Sequence, residues 1–216
     1  MTNAKQASEV IAAAVEALLY RQKIQKAQKI LDLPPAEEVV NALIEAERQN
    51  KRTKKHFSYS QMLGTWQLQL VSGTQKVQTS PSAKSVKRPG KGRYLPQLVT
   101  IKITYGIGDK TADVEPAIGS VKNSVRLAPL HLCLTGPTRF WPATNSLAFD
   151  FTSIAVGLGS WTLYNGAVRG GQTRNQAFKS QSLKDQAFFT FFCVEEQYIA
   201  ARGKGGGLAL WTREKG

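Results

Sequence analysis

Between residues 63 and 213, strand-length apolar runs follow one another with turn residues between them and no helical period, and this succession constrains the fold more than any other feature. The first run, Leu63-Gly64-Thr65-Trp66-Gln67-Leu68-Gln69-Leu70-Val71-Ser72-Gly73-Thr74, alternates Trp66, Leu68 and Leu70 with Gln67 and Gln69. That is the two-residue period of a strand with one face in a core. Gly64 leaves room for a backbone or a large ring to approach. Further runs cover residues 98–105, 118–121, 124–134, 138–141, 146–151, 159–164, 187–194, 197–201 and 207–213. Gly106, Gly108, Gly136, Pro137, Pro142 and Asn145 separate them. Eight to ten short strands in sequence order predict a meandering antiparallel sheet, which removes its edges by closing into a barrel.

The first 55 residues read differently. Residues 5–31 are rich in Ala, Gln and Lys without Gly or Pro, which predicts a helix with Ile11, Val15 and Leu18 on one face and Ile24, Ala27 and Leu31 resuming the stripe. Asp32-Leu33-Pro34-Pro35 ends it. Pro35 then opens a second helix, with Glu37 and Glu38 in its first turn and Val39, Val40, Leu43 and Ile44 on its apolar face through about Gln49. Asn50-Lys51-Arg52-Thr53-Lys54-Lys55-His56 reads as a basic hinge. The expected division is a helical hairpin over residues 1–55 and a barrel over 56–216. Ala187-Phe188-Phe189-Thr190-Phe191-Phe192-Cys193-Val194 is apolar on both faces, so its outer side needs a cover, and the hairpin is the candidate. Docking of a partner or a membrane surface is the alternative use of these helices.

The chain carries a net charge of +14. Residues 1–55 hold ten Lys/Arg against seven Asp/Glu, leaving nineteen against eight for the β-rich part. A surface this basic attracts nucleic acid, anionic headgroups or an acidic protein. Residues 75–96 contain Lys76, Lys84, Lys87, Arg88, Lys91 and Arg93 and no carboxylate, and read as a long mobile loop; residues 165–184 read as a second. Only Tyr94 offers an aromatic ring among those cations, which counts against a stacking platform for nucleic acid. Cys133 and Cys193 sit in apolar runs as free thiols and share no ligand spacing with His56 or His131, so neither a metal nor a cofactor is expected. Asp150 is the one carboxylate embedded in a clearly apolar strand, and no Ser/His/Asp set, carboxylate pair or phosphate loop accompanies it. The expectation is a binding protein rather than an enzyme. No segment approaches a membrane-spanning apolar length. The opening residues lack the features of a signal or transit peptide, so the expected setting is a prokaryotic cytoplasm.

Three blocks resemble the plastid lipid-associated proteins, or fibrillins, over residues 60–213. They are Leu63-Gly64-Thr65-Trp66, Leu147-Ala148-Phe149-Asp150-Phe151, and the closing Glu195-Glu196-Gln197-Tyr198-Ile199-Ala200-Ala201-Arg202-Gly203-Lys204-Gly205-Gly206-Gly207-Leu208-Ala209-Leu210-Trp211-Thr212-Arg213. The family is similar to lipocalins in fold, has cyanobacterial homologues, and is associated with thylakoid membranes, lipid globules, carotenoids and prenylquinones. The resemblance implies a lipocalin-like barrel that binds a small hydrophobic molecule peripherally to a thylakoid, in a cyanobacterial member. It also implies that Arg213 packs over Trp66 beside Gly64, a closure contact worth about 0.5–2 kcal/mol. Alternation allows Trp66, Leu68, Phe149, Phe151, Trp161, Phe189 and Phe191 to point inward, as pocket lining or as core filling. The Arg202-Gly203-Lys204-Gly205-Gly206-Gly207 turn holds two cations at a hairpin tip. With Lys84, Lys87, Arg88, Lys91 and Arg93, Arg202 and Lys204 are expected to meet anionic headgroups. An adaptor docking a protein through residues 1–55 and a basic nucleic-acid-binding barrel are the alternatives.

Overall fold

Two helices open the chain. The computed structural model describes residues 2–23, 32–77, 85–108, 117–168, 177–178 and 180–214. Helix α1 spans Thr2–Lys23 and α2 spans Ala36–Thr53. The expected continuation of the first helix, residues 24–31, lies outside the described residues. Pro35 caps α2 at its start. At its end Lys51 and Arg52 complement the helix dipole and left-handed Lys54 donates its N–H to the Asn50 carbonyl. The helix therefore runs to Thr53, and most of the expected hinge is helical. A one-turn helix, α3 (Tyr59–Met62), adds to the two expected from the sequence. Its signal was a capping box, in which the Ser58 N–H donates to Gln61 Oε1 at 2.9 Å. No described helix is long and apolar enough to cross a membrane.

Thirteen strands follow among the described residues: β1 Gly64–Val71, β2 Thr74–Val77, β3 Val86–Pro89, β4 Arg93–Tyr94, β5 Val99–Ile107, β6 Ala117–Leu127, β7 Leu130–Trp141, β8 Ser146–Phe149, β9 Ser153–Leu158, β10 Trp161–Ala167, β11 Ala187–Val194, β12 Tyr198–Gly203 and β13 Leu208–Arg213. Eight of them close an antiparallel barrel in the order β7-β6-β5-β1-β13-β12-β11-β8, with β8 returning to β7. The mainly-β barrel preceded by a helical pair matches the sequence expectation. Strand limits differ. The runs at 118–121 and 124–134 are redivided into β6 and β7 by a turn at Ala128-Pro129. Gly136 and Pro137, expected as separators, lie within β7. The expected mobile loop at 75–96 contains the β2–β3 hairpin and β4, although residues 78–84 lie outside the described set. The second expected loop begins inside β10, since Asn165 and Gly166 pair with β9.

Strand β7 changes partner midway. Residues 138–141 pair with β8, whereas residues 130–135 pair with β9. At the exchange the Pro137 carbonyl accepts the Asp150 N–H at 3.2 Å and the Thr135 carbonyl accepts the Thr152 N–H at 2.9 Å. Pro137, lacking an N–H, sits where the ladder is interrupted in any case. Beyond this point β5, β6, β7, β9 and β10 continue as a wing. Six residues of extended chain carry it about 20 Å past the end of β8.

Two apolar clusters hold the molecule together. The barrel interior contains Trp66, Ile103, Tyr105, Val121, Phe140, Leu147, Phe191 and Trp211. The second lies outside the wall, where Ile11, Leu18, Val40 and Leu43 cover Leu70, Phe192, Ala200, Leu208 and Leu210. A bulge between Leu68 and Leu70 turns β1 from the first cluster to the second. Phe191 and Phe192 face opposite cores, which is why β11 is apolar on both faces.

An ion pair ties α2 to this wall. Arg202 Nε donates to Glu47 Oε1 at 2.8 Å, Arg202 Nη2 to Glu47 Oε2, and Lys51 Nζ lies 3.1 Å from the same carboxylate. Burial pushes the Glu47 carboxyl up, but the hydrogen bonds from Arg202 and Lys51 outweigh it and hold the group below the usual range. Glu47→Gln is expected to lower the unfolding free energy by about 2 kcal/mol at neutral pH. Because the folded-state pKa is depressed, this contribution is complete above the ordinary carboxylate range and is lost as pH falls through the folded value. Denaturation midpoints of the two proteins should therefore converge in acid.

Candidate functional site

The barrel has one sealed end. Residues 55–63 cross it, burying Phe57, Tyr59 and Met62. Asn145 fixes the crossing by donating from Nδ2 to the Lys55 carbonyl at 2.8 Å and accepting the Phe57 N–H at 2.9 Å. The Tyr59 hydroxyl donates to the Gly106 carbonyl at 2.9 Å and lies 2.9 Å from Thr138 Oγ1. A Cβ on Gly119 would collide with that hydroxyl, so glycine is what admits the ring.

Trp66 forms the floor. Its Nε1 donates to the Met62 carbonyl at 2.7 Å, and Arg213, its direct cross-strand partner, stacks 3.9 Å from the ring centroid. The guanidinium also donates to the Leu63 carbonyl at 2.9 Å and the Glu196 carbonyl at 2.6 Å. Gly64 has φ +113°, and a Cβ there would stand 2.8 Å from Arg213 Nη1. Trp66 thus seals an end of the barrel instead of lining an accessible pocket.

Toward the other end the interior becomes aromatic. Phe189 stacks on Phe149 at 5.1 Å, meets Trp211 edge-on at 5.3 Å and lies 6.3 Å from Phe191. Phe151 lies 5.5 Å from Phe149, and Tyr105 meets Phe191 edge-on at 6.4 Å. Phe191 is fully buried, while Leu68, Phe149, Phe151 and Phe189 are half-buried, so exposure grows toward the mouth. The structure brings these five predicted residues into one cluster. Trp161 is not among them. It begins β10 and is 76% exposed, because residues 153–158, which lie outside the strands expected from the sequence, form β9 and carry it out onto the wing. The missed signal was the alternation of Ile154, Val156 and Leu158 with small residues.

The wing extends the barrel's inner surface. Register places Ile103, Asn123, Leu134 and Ile154 in one cross-strand row and Ile101, Val125, Leu132 and Val156 in the next. All share the face of buried Trp66 and Val121. The opposite face carries Thr100, Arg126 and His131, then Lys102, Ser124 and Cys133, then Thr104, Lys122 and Thr135. An apolar trough therefore continues from the aromatic mouth, backed by a polar and basic outer face.

Two polar atoms interrupt the lining. Among the described residues, Tyr105 Oη and Asn123 Oδ1 are buried without a hydrogen-bond partner. Burial pushes the Tyr105 phenol far above its usual range, so it stays a neutral donor. Together they present one donor and one acceptor in an apolar surround.

The predicted cations divide into two groups. Lys87 and Arg88 on β3 and Arg93 on β4 are exposed, and Lys84 lies outside the described residues. Lys91 approaches Glu37 at 3.7 Å. Arg202 is engaged by Glu47, whereas Lys204 stays exposed while its Nζ donates to the Lys184 and Gln186 carbonyls at 2.6 and 2.9 Å. Both cysteines are free and half-buried, and burial, helped by Glu195, pushes the Cys193 thiol up to about 12. Asp150 Oδ1 accepts the Phe151 N–H at 2.9 Å. No metal-binding cluster occurs among the described residues. A separate groove of 1540 Å³ runs between α1 and the outer wall, lined by Ala12 and Leu19 but also by Gln67, Gln69, Thr100 and Glu214.

No family model matches the chain, and no curated protein matches it. One similar solved structure is a redesigned β-barrel, with 9% identity and a TM-score of 0.33 over 74% of this chain and 100% of that one. So weak a likeness bears on neither family nor function.

Arg213→Lys should cost about 1–2 kcal/mol in chemical denaturation, since an ammonium cannot both stack on Trp66 and satisfy several carbonyls.

Proposed function

We propose that this protein binds a small hydrophobic molecule of the lipid, prenylquinone or carotenoid kind without chemical turnover, beside an anionic membrane surface. The observation that carries the reading is the continuous apolar surface, from Phe191 through half-buried Phe149, Phe151 and Phe189 onto the inner face of the wing. A sealed floor and an aromatic mouth suit a molecule that enters from one side. Tyr105 and Asn123 suit a ligand with a single hydroxyl or carbonyl on an apolar body, because such a group would satisfy atoms that otherwise stay unpaired. The resemblance to fibrillins supports the same reading and sets it at a thylakoid-type membrane in a cyanobacterium.

The test is displacement of cis-parinaric acid by phytol and by phytane, which share an isoprenoid body and differ by one hydroxyl. The expected result is displacement by both, with phytol the stronger. Tyr105→Phe and Asn123→Leu should each raise the stability of the empty protein by about 1 kcal/mol. The same substitutions should abolish the preference for phytol. Failure of the wild-type protein to take up parinaric acid, together with lipid-free protein from its native host, would end the carrier reading.

A further inference from the structure

The wing ends in two turns, Ala128-Pro129 between β6 and β7 and Gly159-Ser160 between β9 and β10, joined by the Gly159 N–H donating to the Pro129 carbonyl at 2.9 Å. Across these strand ends Leu127 pairs with Leu130, Leu130 with Leu158 and Leu158 with Trp161. Leu98 precedes Val99, the partner of Leu127, and Leu163 and Tyr164 follow Trp161. Exposure in this group runs from 44% at Leu130 to 80% at Leu98. Seven of the eight large exposed hydrophobic residues of the described chain therefore gather at one protruding tip. Isolated exposed leucines need no explanation, but a contiguous apolar tip does.

Charge selects what covers it. Residues 85–108, 117–149 and 151–168 contain no Asp or Glu. Lys122 and Arg126 are exposed on the wing's outer face. At the same end of the barrel, exposed Lys76 and Lys87 stand directly opposite each other on β2 and β3, a like-charge pair that is unfavourable unless an anion neutralises it. A second copy of this chain would set these cations against themselves. An anionic bilayer complements them, and its interface yields around projecting turns where a rigid surface would need a matching pit. Tryptophan and tyrosine above leucine are the side chains that favour that interface.

We propose that the wing tip docks into the interfacial region of an anionic bilayer. Leu98, Leu127, Leu130, Leu158, Trp161 and Leu163 enter the headgroup boundary, while Lys122, Arg126, Lys76 and Lys87 meet anionic headgroups. The proposal rests on the membrane-side carrier reading and supplies its route: a molecule leaving the bilayer meets the apolar trough from the tip to the mouth without crossing water.

The test uses the full chain with phosphatidylcholine vesicles, with and without phosphatidylglycerol, and with brominated acyl chains. Trp161 is the most exposed of the four tryptophans, so the signal lost in Trp161→Phe reports the tip. On anionic vesicles that signal should shift to the blue and be quenched by bromine, and salt should reverse both effects. The double variant Trp161→Glu, Leu163→Glu should lose at least tenfold in vesicle partitioning while keeping its melting temperature and its vesicle-free parinaric acid binding. Vesicle binding without quenching of Trp161, binding unaffected by the double variant, or no binding to anionic vesicles would each overturn the proposal. So would concentration-dependent self-association that the double variant relieves, since that assigns the tip to a second copy. Parinaric acid binding measured without vesicles reads the carrier function separately, so loss of that reading and loss of tip docking are distinguishable.

Discussion

A closed barrel requires every strand to be paired on both edges, and β7 cannot meet that requirement with one neighbour. It is 12 residues long, while β8, the strand that closes the ring against it, has four. The remaining length must find another partner, which β9 supplies, and β10 in turn covers β9. Closure below and the wing above are two outcomes of one mismatch in strand length. The mouth opens where β8 departs, with Phe149 and Phe151 at the point of departure.

The floor and the barrel interior differ in how far their polar groups are satisfied. At the floor, Asn145, Tyr59, Trp66 and Arg213 each reach a backbone carbonyl. That end is consequently fixed as tightly as an ordinary core. Within the interior, Tyr105 Oη and Asn123 Oδ1 remain buried and unpaired among described residues. Buried orphans cost stability, and their position in the apolar interior contrasts with the fully bonded floor.

Much of the barrel was legible in the sequence because a half-buried antiparallel strand leaves a two-residue signature. β1, with Trp66 and Leu68, and β13, with Trp211, are clear examples. The two-sided run at Phe188 to Phe192 likewise announced an outer cover. Other features were hidden for physical reasons. Gly136 and Pro137 resemble a turn locally, and only the exchange of partners across β7 makes them compatible with a strand. β9 was obscured because its outward positions hold Ala155 and Gly157, small residues that blur the polar half of the alternation. Trp161 has the composition of a pocket residue, and only the hairpin it opens reveals that it faces solvent. Arg202 reads as a free cation in the sequence because its partner Glu47 is distant along the chain.

The helical pair is bound into the outer core. Ile11, Leu18, Val40 and Leu43 share that core with Phe192, Leu208 and Leu210. Peeling the pair away would wet a whole flank of the barrel, so no partner can claim the inner side of α1 or α2 at small cost. With this packing intact, the helices present their outward charges and the groove between α1 and the wall. Mutation can rewrite that outward side freely, whereas the inward side is as constrained as the strands it shelters.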